Sequence, residues 1–236
     1  MRHATHGLAR APGVRFAKVM TCFGTRGSAG FSPYGLPDLR RVIAVLVWEE
    51  ESALEEFLDR CPLVRAWSEC LWAWHTRAAP LQSRGSFRGH SPLADLPRST
   101  PGKSASDSGP IAALTLGRTS WRHNLTLGRI SPAAKPFLQT DGLITAVSAG
   151  LPVYGNCTFT LWESEQAMQR FAYGQPPGDH RDTISQNHDR SVLIEQFSAR
   201  FEPLRIEGTW DPTSTPNAAA LGRLADTLQN AGRISI

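Results

Sequence analysis

RVIAVLVWEEESALEEF (residues 41–57) and NCTFTLWESEQAMQRF (residues 156–171) are two versions of one pattern. In each, an apolar run ends in Trp and Glu: Val47-Trp48-Glu49 in the first, Leu161-Trp162-Glu163 in the second. An Ala follows five residues after each Trp, at Ala53 and Ala167, and a Phe nine residues after, at Phe57 and Phe171. The apolar runs read as strands, and the segments after them read as helices with one apolar face. In the first copy that face carries Ala53, Leu54, Phe57 and Leu58, with Ser52 and Glu55 at capping-box spacing. Order and spacing together point to a duplicated unit.

Working outward, Arg15 to Cys22 reads as a strand, followed by a Gly-rich stretch from Gly24 to Gly35. Val64, Trp67, Leu71 and Trp74 mark one face of a second helix, and Ala78 to Phe87 a closing strand. In the second half, Ile111 to Leu116 takes the place of the opening strand and Gly142 to Ser148 is another. His180 to Asp189 reads as a helix, and Glu195 to Trp210 as the closing strand or strand pair. The termini also match, Arg84-Gly85-Ser86-Phe87 beside Glu207-Gly208-Thr209-Trp210.

The segment GKSASDSGP (residues 102–110) is small, polar and turn-prone. The expected divisions are a tail over 1–12, a first repeat over 13–95, a linker over 96–110, a second repeat over 111–212 and an extension over 213–236. In the extension, Ala218, Leu221, Leu224, Ala225 and Leu228 share a helical face. The fold class is α+β: two ferredoxin-like repeats whose sheets pack as a pseudo-dimeric α+β barrel. Such a barrel has room for a flat apolar ligand.

Composition narrows the functions. The net charge is only +4 and the basic residues are scattered, which disfavours nucleic-acid binding. No stretch approaches the roughly 20 apolar residues of a spanning helix, and Met1 to Pro12 has no apolar core of a signal peptide. A soluble, cytoplasmic chain is expected, with peripheral contact at a membrane surface if the substrate is apolar. Cys22, Cys61, Cys70 and Cys157 form no Cys-x-x-Cys pair and read as reduced thiols. There is no Gly-x-Ser-x-Gly elbow, phosphate-binding loop or His-Glu-x-x-His. The acidic run Glu49 to Glu51 is explained by a helix N-terminus.

A set of short pieces runs along the chain in a recognisable order: FAKVMTCFGT (16–25) with GFSP (30–33), RGSFRG (84–89) with Ser91 and Pro92, and ALTLGRT (113–119). It continues with LWES (161–164) and Ala167, Phe171 to Tyr173, His180, Arg200-Phe201, and Gly208 to Trp210. In these pieces the chain resembles the spheroidene monooxygenase (carotenoid ketolase) family. The resemblance implies a dimeric α+β barrel in one chain, a bound haem b, and O2-dependent oxidation of an acyclic carotenoid. It also implies an electron donor such as reduced ferredoxin.

A haem iron needs a rigid axial donor, most often neutral imidazole. Spacing by itself reads His180 as a solvated helix-start residue beside Asp179, Arg181 and Asp182. The resemblance makes it the iron ligand, with His188 as the alternative. Arg26, Arg118, Arg122 and Arg200 are candidate partners for haem propionates. Thr21, Thr25 and Thr119 are candidate hydrogen-bond partners for bound oxygen, and Phe31, Trp48, Trp121, Phe159 and Trp162 candidate pocket walls. Two other readings fit the same fold: a cofactor-free oxygenase, and a non-catalytic protein that binds haem or an apolar ligand.

Overall fold

The computed structural model describes residues 7–24, 36–95, 109–119, 139–151, 155–173, 193–211, 215 and 217–233. They form a mixed α+β fold with one curled antiparallel sheet and four helices. The strands are β1 (Val14–Gly24), β2 (Leu36–Trp48), β3 (Ala73–Gly85), β4 (Ile111–Thr119), β5 (Leu143–Leu151), β6 (Gly155–Trp162) and β7 (Leu193–Thr209). The helices are α1 (Glu51–Arg60), α2 (Pro62–Ser68), α3 (Glu165–Tyr173) and α4 (Ala218–Arg233). The sheet order is β2-β1-β5-β6-β4-β7-β3.

The duplication is written in the register. Val14 pairs with Trp48, and a bulge separates it from Phe16, which pairs with Val47. Leu143 pairs with Trp162, and a bulge separates it from Thr145, which pairs with Leu161. The carbonyl of Gly13 accepts the Glu49 N–H at 2.9 Å, and that of Gly142 accepts the Glu163 N–H at 2.8 Å. Both glycines have positive φ, 75° and 78°. A Cβ at Gly13 would lie 2.4 Å from the Ala53 Cβ, and one at Gly142 would lie 2.6 Å from that of Ala167. Each Gly–Ala contact lets its helix sit close on its hairpin, and each Trp then packs on the Phe nine residues later. Ring centroids are 4.9 Å apart for Trp48 and Phe57 and 5.4 Å for Trp162 and Phe171.

This register corrects the expected correspondence of strands. The counterpart of β1 is β5, not the strand at 111–116. The repeated unit is hairpin, helix, strand: β1-β2-α1-β3 and β5-β6-α3-β7. β4 is additional and sits between β6 and β7. The described residues therefore do not show two complete ferredoxin-like repeats or two separate sheets. The matched ends do correspond: Trp74 pairs with Gly208, and Phe197 with Gly85, in one long β3–β7 ladder.

Local details also depart from expectation. The residue preceding α1 is Glu50, which makes no side-chain cap bond; the Ser52 hydroxyl instead reaches Glu50. In the second copy Ser164 does cap, accepting the Ala167 N–H at 3.1 Å. The aromatic-rich helix stops at Ser68, and Trp74 and His75 belong to β3.

The sheet is curled tightly. Phe16 on β1 and Phe87, just after β3, stand five strands apart in the sheet order, about 24 Å if the sheet were flat. Their ring centroids are 6.5 Å apart, edge to face. The face bearing Phe16, Met20, Leu114, Leu116 and Phe197 is therefore concave. α3 covers the opposite face, burying Ala167 and Met168 over Ile111, Leu143 and Trp162. α4 packs Leu221, Leu224, Ala225 and Leu228 of the anticipated face, with Ala220 rather than Ala218, against Ala112, Ile144, Leu161, Ile206 and Trp74. Among the described residues, no helix is long and apolar enough to cross a membrane.

Candidate functional site

Side chains alternate between faces along a strand, so the register names the concave lining. One row crosses six strands: Cys22, Ala149, Cys157, Leu116, Phe197 and Gly85 are successive partners. The five residues with side chains are buried. Phe87 and Leu93, from the loop after β3, close over the row. Burial pushes the Cys22 thiol up to about 11, and drives that of Cys157 higher still. Both are protonated at neutral pH and pack as small apolar wall groups.

The row lies near one border of the sheet. Gly24 and Leu151 end their strands two residues beyond it, and Gly155 begins its strand two residues before it. Thr119 and Leu193 pair with each other at the same border. Segments 25–35, 120–138, 152–154 and 174–192 attach at these strand ends.

Two residues past the apolar row, the same face turns polar. Arg118 and Glu195 are cross-strand partners, and Arg118 Nη1 donates to Glu195 Oε2 at 3.2 Å. The other carboxylate oxygen accepts the Gly89 N–H at 2.7 Å and the Ser86 hydroxyl at 3.0 Å. Hydrogen bonds from the Gly89 and Arg88 backbone, from Ser86 and from Arg118 hold this carboxyl at about 2, against the desolvation that opposes ionisation. Glu195 thus fastens the loop bearing Phe87 to the barrel wall and fixes one nitrogen of the Arg118 guanidinium. Ser86, Gly89 and Arg118 belong to segments that sequence reading had matched; Glu195 was missed, because a lone carboxylate on a strand carries no spacing signal.

The other sequence candidates divide. Arg118 lies on the concave face at its border. Arg200 lies on the opposite face, where its Nη1 donates to Glu165 of α3 at 2.7 Å, so the two arginines do not converge. Phe159 is part of the concave wall, its ring tilted against Trp74 with centroids 6.3 Å apart. Trp162 is core under α3, its indole N–H donating to the Thr160 hydroxyl at 2.9 Å. Trp48 packs on Phe57 of α1. Thr21 lies between Met20 and Cys22 and so faces away from the concave side. Thr119 is placed by its backbone at the border. Thr25, Arg26, Phe31, Trp121, Arg122, His180 and His188 lie outside the described residues. His75 pairs with Glu207 across β3 and β7, and His90 closes the Phe87 turn through its backbone. Among the described residues, no three His, Cys, Asp or Glu side chains gather as a metal cage.

No family model matches the chain. Two curated relatives do, both called spheroidene monooxygenase. That of Rubrivivax gelatinosus is 31% identical over 208 residues, 84% of this chain and 72% of the relative. That of Rhodobacter capsulatus is 24% identical over 202 residues, 84% of this chain and 79% of the relative. Among solved structures, a candidate monooxygenase of Fusobacterium nucleatum aligns over 87% of this chain and 82% of its own, at 11% identity and a TM-score of 0.39. An anthrone oxidase-like protein aligns over 88% and 84%, at 14% identity and a TM-score of 0.34. Neither structural likeness is close enough to bear on the site.

Proposed function

The chain belongs to the spheroidene monooxygenase family and is a monooxygenase, and from that premise we propose that it inserts oxygen from O2 into an acyclic carotenoid or a related long apolar polyene, giving a hydroxy or keto product. What carries the reading is the 31% identity over 208 residues. What supports it in the geometry is an apolar concave face with Arg118, held by Glu195, at its polar border, a setting that suits an apolar substrate and a flat group with an acidic edge.

That flat group is, in this reading, haem b, which supplies the centre where O2 is bound and activated. Support for it comes from the polar border at Arg118 beside the apolar face and from the family resemblance. A porphyrin-held iron needs one axial donor from the chain rather than a cage of ligands, and His180 is the residue proposed, with His188 as the alternative. Arg118, whose guanidinium Glu195 holds by one nitrogen, and Arg26 are proposed for the acidic edge. The apolar row from Cys22 to Phe197, closed over by Phe87 and Leu93, forms a dry wall behind the proposed site. Thr25, Thr119 and Trp121 are proposed to border the bound oxygen. Electrons come from a small donor such as reduced ferredoxin.

The test is spectroscopic first. Protein produced with a haem supply is expected to show a Soret band, and His180→Ala to lose or shift it. A wild type without the band, or an unchanged band in the variant, overturns the haem or its ligand respectively. Oxidation of spheroidene by protein stripped of iron and haem selects the cofactor-free reading instead.

A further inference from the structure

The two units differ by one strand, and the difference leaves a slot. In the second unit β4 fills the space between β6 and β7, and turns Ala112, Leu114 and Leu116 to the concave face. The equivalent space in the first unit lies between β2 and β3. No described strand fills it; β2 and β3 are the two ends of the sheet. Side chains from the two edge strands reach across the curl. Arg41 Nη2 of β2 meets Asp211 Oδ2, just past β7, at 3.1 Å, and Arg77 of β3 meets Glu55 of α1.

Among the described residues, the β2 side of the slot is apolar and no element covers it. Among the described side chains, β1, β4, β5, β6 and β7 each contain buried residues, whereas β2, β3, α1 and α2 contain none. Ile43, Val45 and Val47 line the concave side of β2 and are only half-buried. At one end of the slot Leu39 and Val42 are 81% and 54% exposed. Leu71 and Trp72, 79% and 48% exposed, precede Ala73, whose partner Thr209 is two residues from Asp211. Exposed apolar groups gathered in this way mark a binding surface.

The edges themselves say what kind of occupant fits. A peptide strand needs an unbroken row of N–H and C=O groups with period two. β2 breaks that row between Val42 and Asp38, and β3 breaks it at Leu81, the extra residue between Pro80 and Gln82. Bulges and edge prolines of this kind prevent strand addition. An extended hydrocarbon needs no such row. We propose that the slot between β2 and β3 binds the extended apolar chain of the substrate along Ile43, Val45 and Val47, presenting one end of it to the concave site. This inference rests on the polyene monooxygenase reading.

The test uses spheroidene in detergent and the quenching of tryptophan emission by the bound polyene, with Trp74 and Trp48 close to the slot. Val45→Glu is expected to weaken binding by about tenfold or more, the cost of a carboxylate against hydrocarbon, while Val45→Met binds like the wild type. Leu39→Glu/Leu71→Glu changes only exposed side chains, so folding is unaffected, and it is expected to weaken binding severalfold. Wild-type affinity in both acidic variants overturns the slot and leaves the monooxygenase reading standing. A wild type that does not bind spheroidene overturns the substrate, and the slot with it.

Discussion

Gly142 and Glu195 show how differently two single residues can be read. Gly142 combines a positive φ with a carbonyl bond to Glu163 and a 2.6 Å approach to Ala167. Gly142→Ala is expected to cost about 1–3 kcal/mol in urea denaturation, whereas Gly7→Ala, with nothing within 4 Å, serves as the neutral control. The Ala half of this contact was legible in the shared spacing from each Trp; the Gly half was not, because it lies across the hairpin and far from the repeated stretch. Glu195 had no signal at all, since its partners come from two other segments of chain. Its carboxyl is lowered from 4.5 to about 2 in the folded protein. The stability it contributes is therefore present above about pH 4.5 and is lost as pH falls toward 2. Glu195→Gln is expected to be less stable than wild type at neutral pH, with the gap narrowing over that acid range. Equal acid profiles for the two proteins would show that the carboxylate is not fastening the loop.

Among elements, the hairpin-plus-helix pairs were predictable because their contacts are local and periodic. The identity of β4 was not. An apolar strand of nine residues looks like any other opening strand, and only its pairing with both β6 and β7 shows that it is additional. α4 lies outside the repeats, yet its apolar face anticipated its packing. Leu221 is fully buried on it, between Ile144, Leu161 and Ile206. Leu221→Ala is expected to cost about 2–5 kcal/mol, read as a lowered urea midpoint with the slope preserved. A change below about 0.5 kcal/mol would mean that α4 is not seated on the sheet in solution.

For the whole molecule, the sheet order sets a hierarchy of protection. β6 and β4 are flanked on both sides, while β2 and β3 each have one neighbour. Amide hydrogen exchange is expected to be slowest at Leu114, Leu116, Cys157 and Leu161 and fastest at Leu39 to Val42. The reverse order would contradict the pairing. A curled sheet was expected from the barrel reading, but that one sheet would carry it, closed by contacts such as Phe16 with Phe87, was not legible because these join distant parts of the chain. The β3–β7 ladder carries one more meaning. Trp74 opposite Gly208 and Phe197 opposite Gly85 make it read alike from either end. A surface that matches itself after half a turn is what two identical subunits use to meet. The seam within this single chain keeps the form of a subunit contact, made permanent by the polypeptide that now joins its two sides.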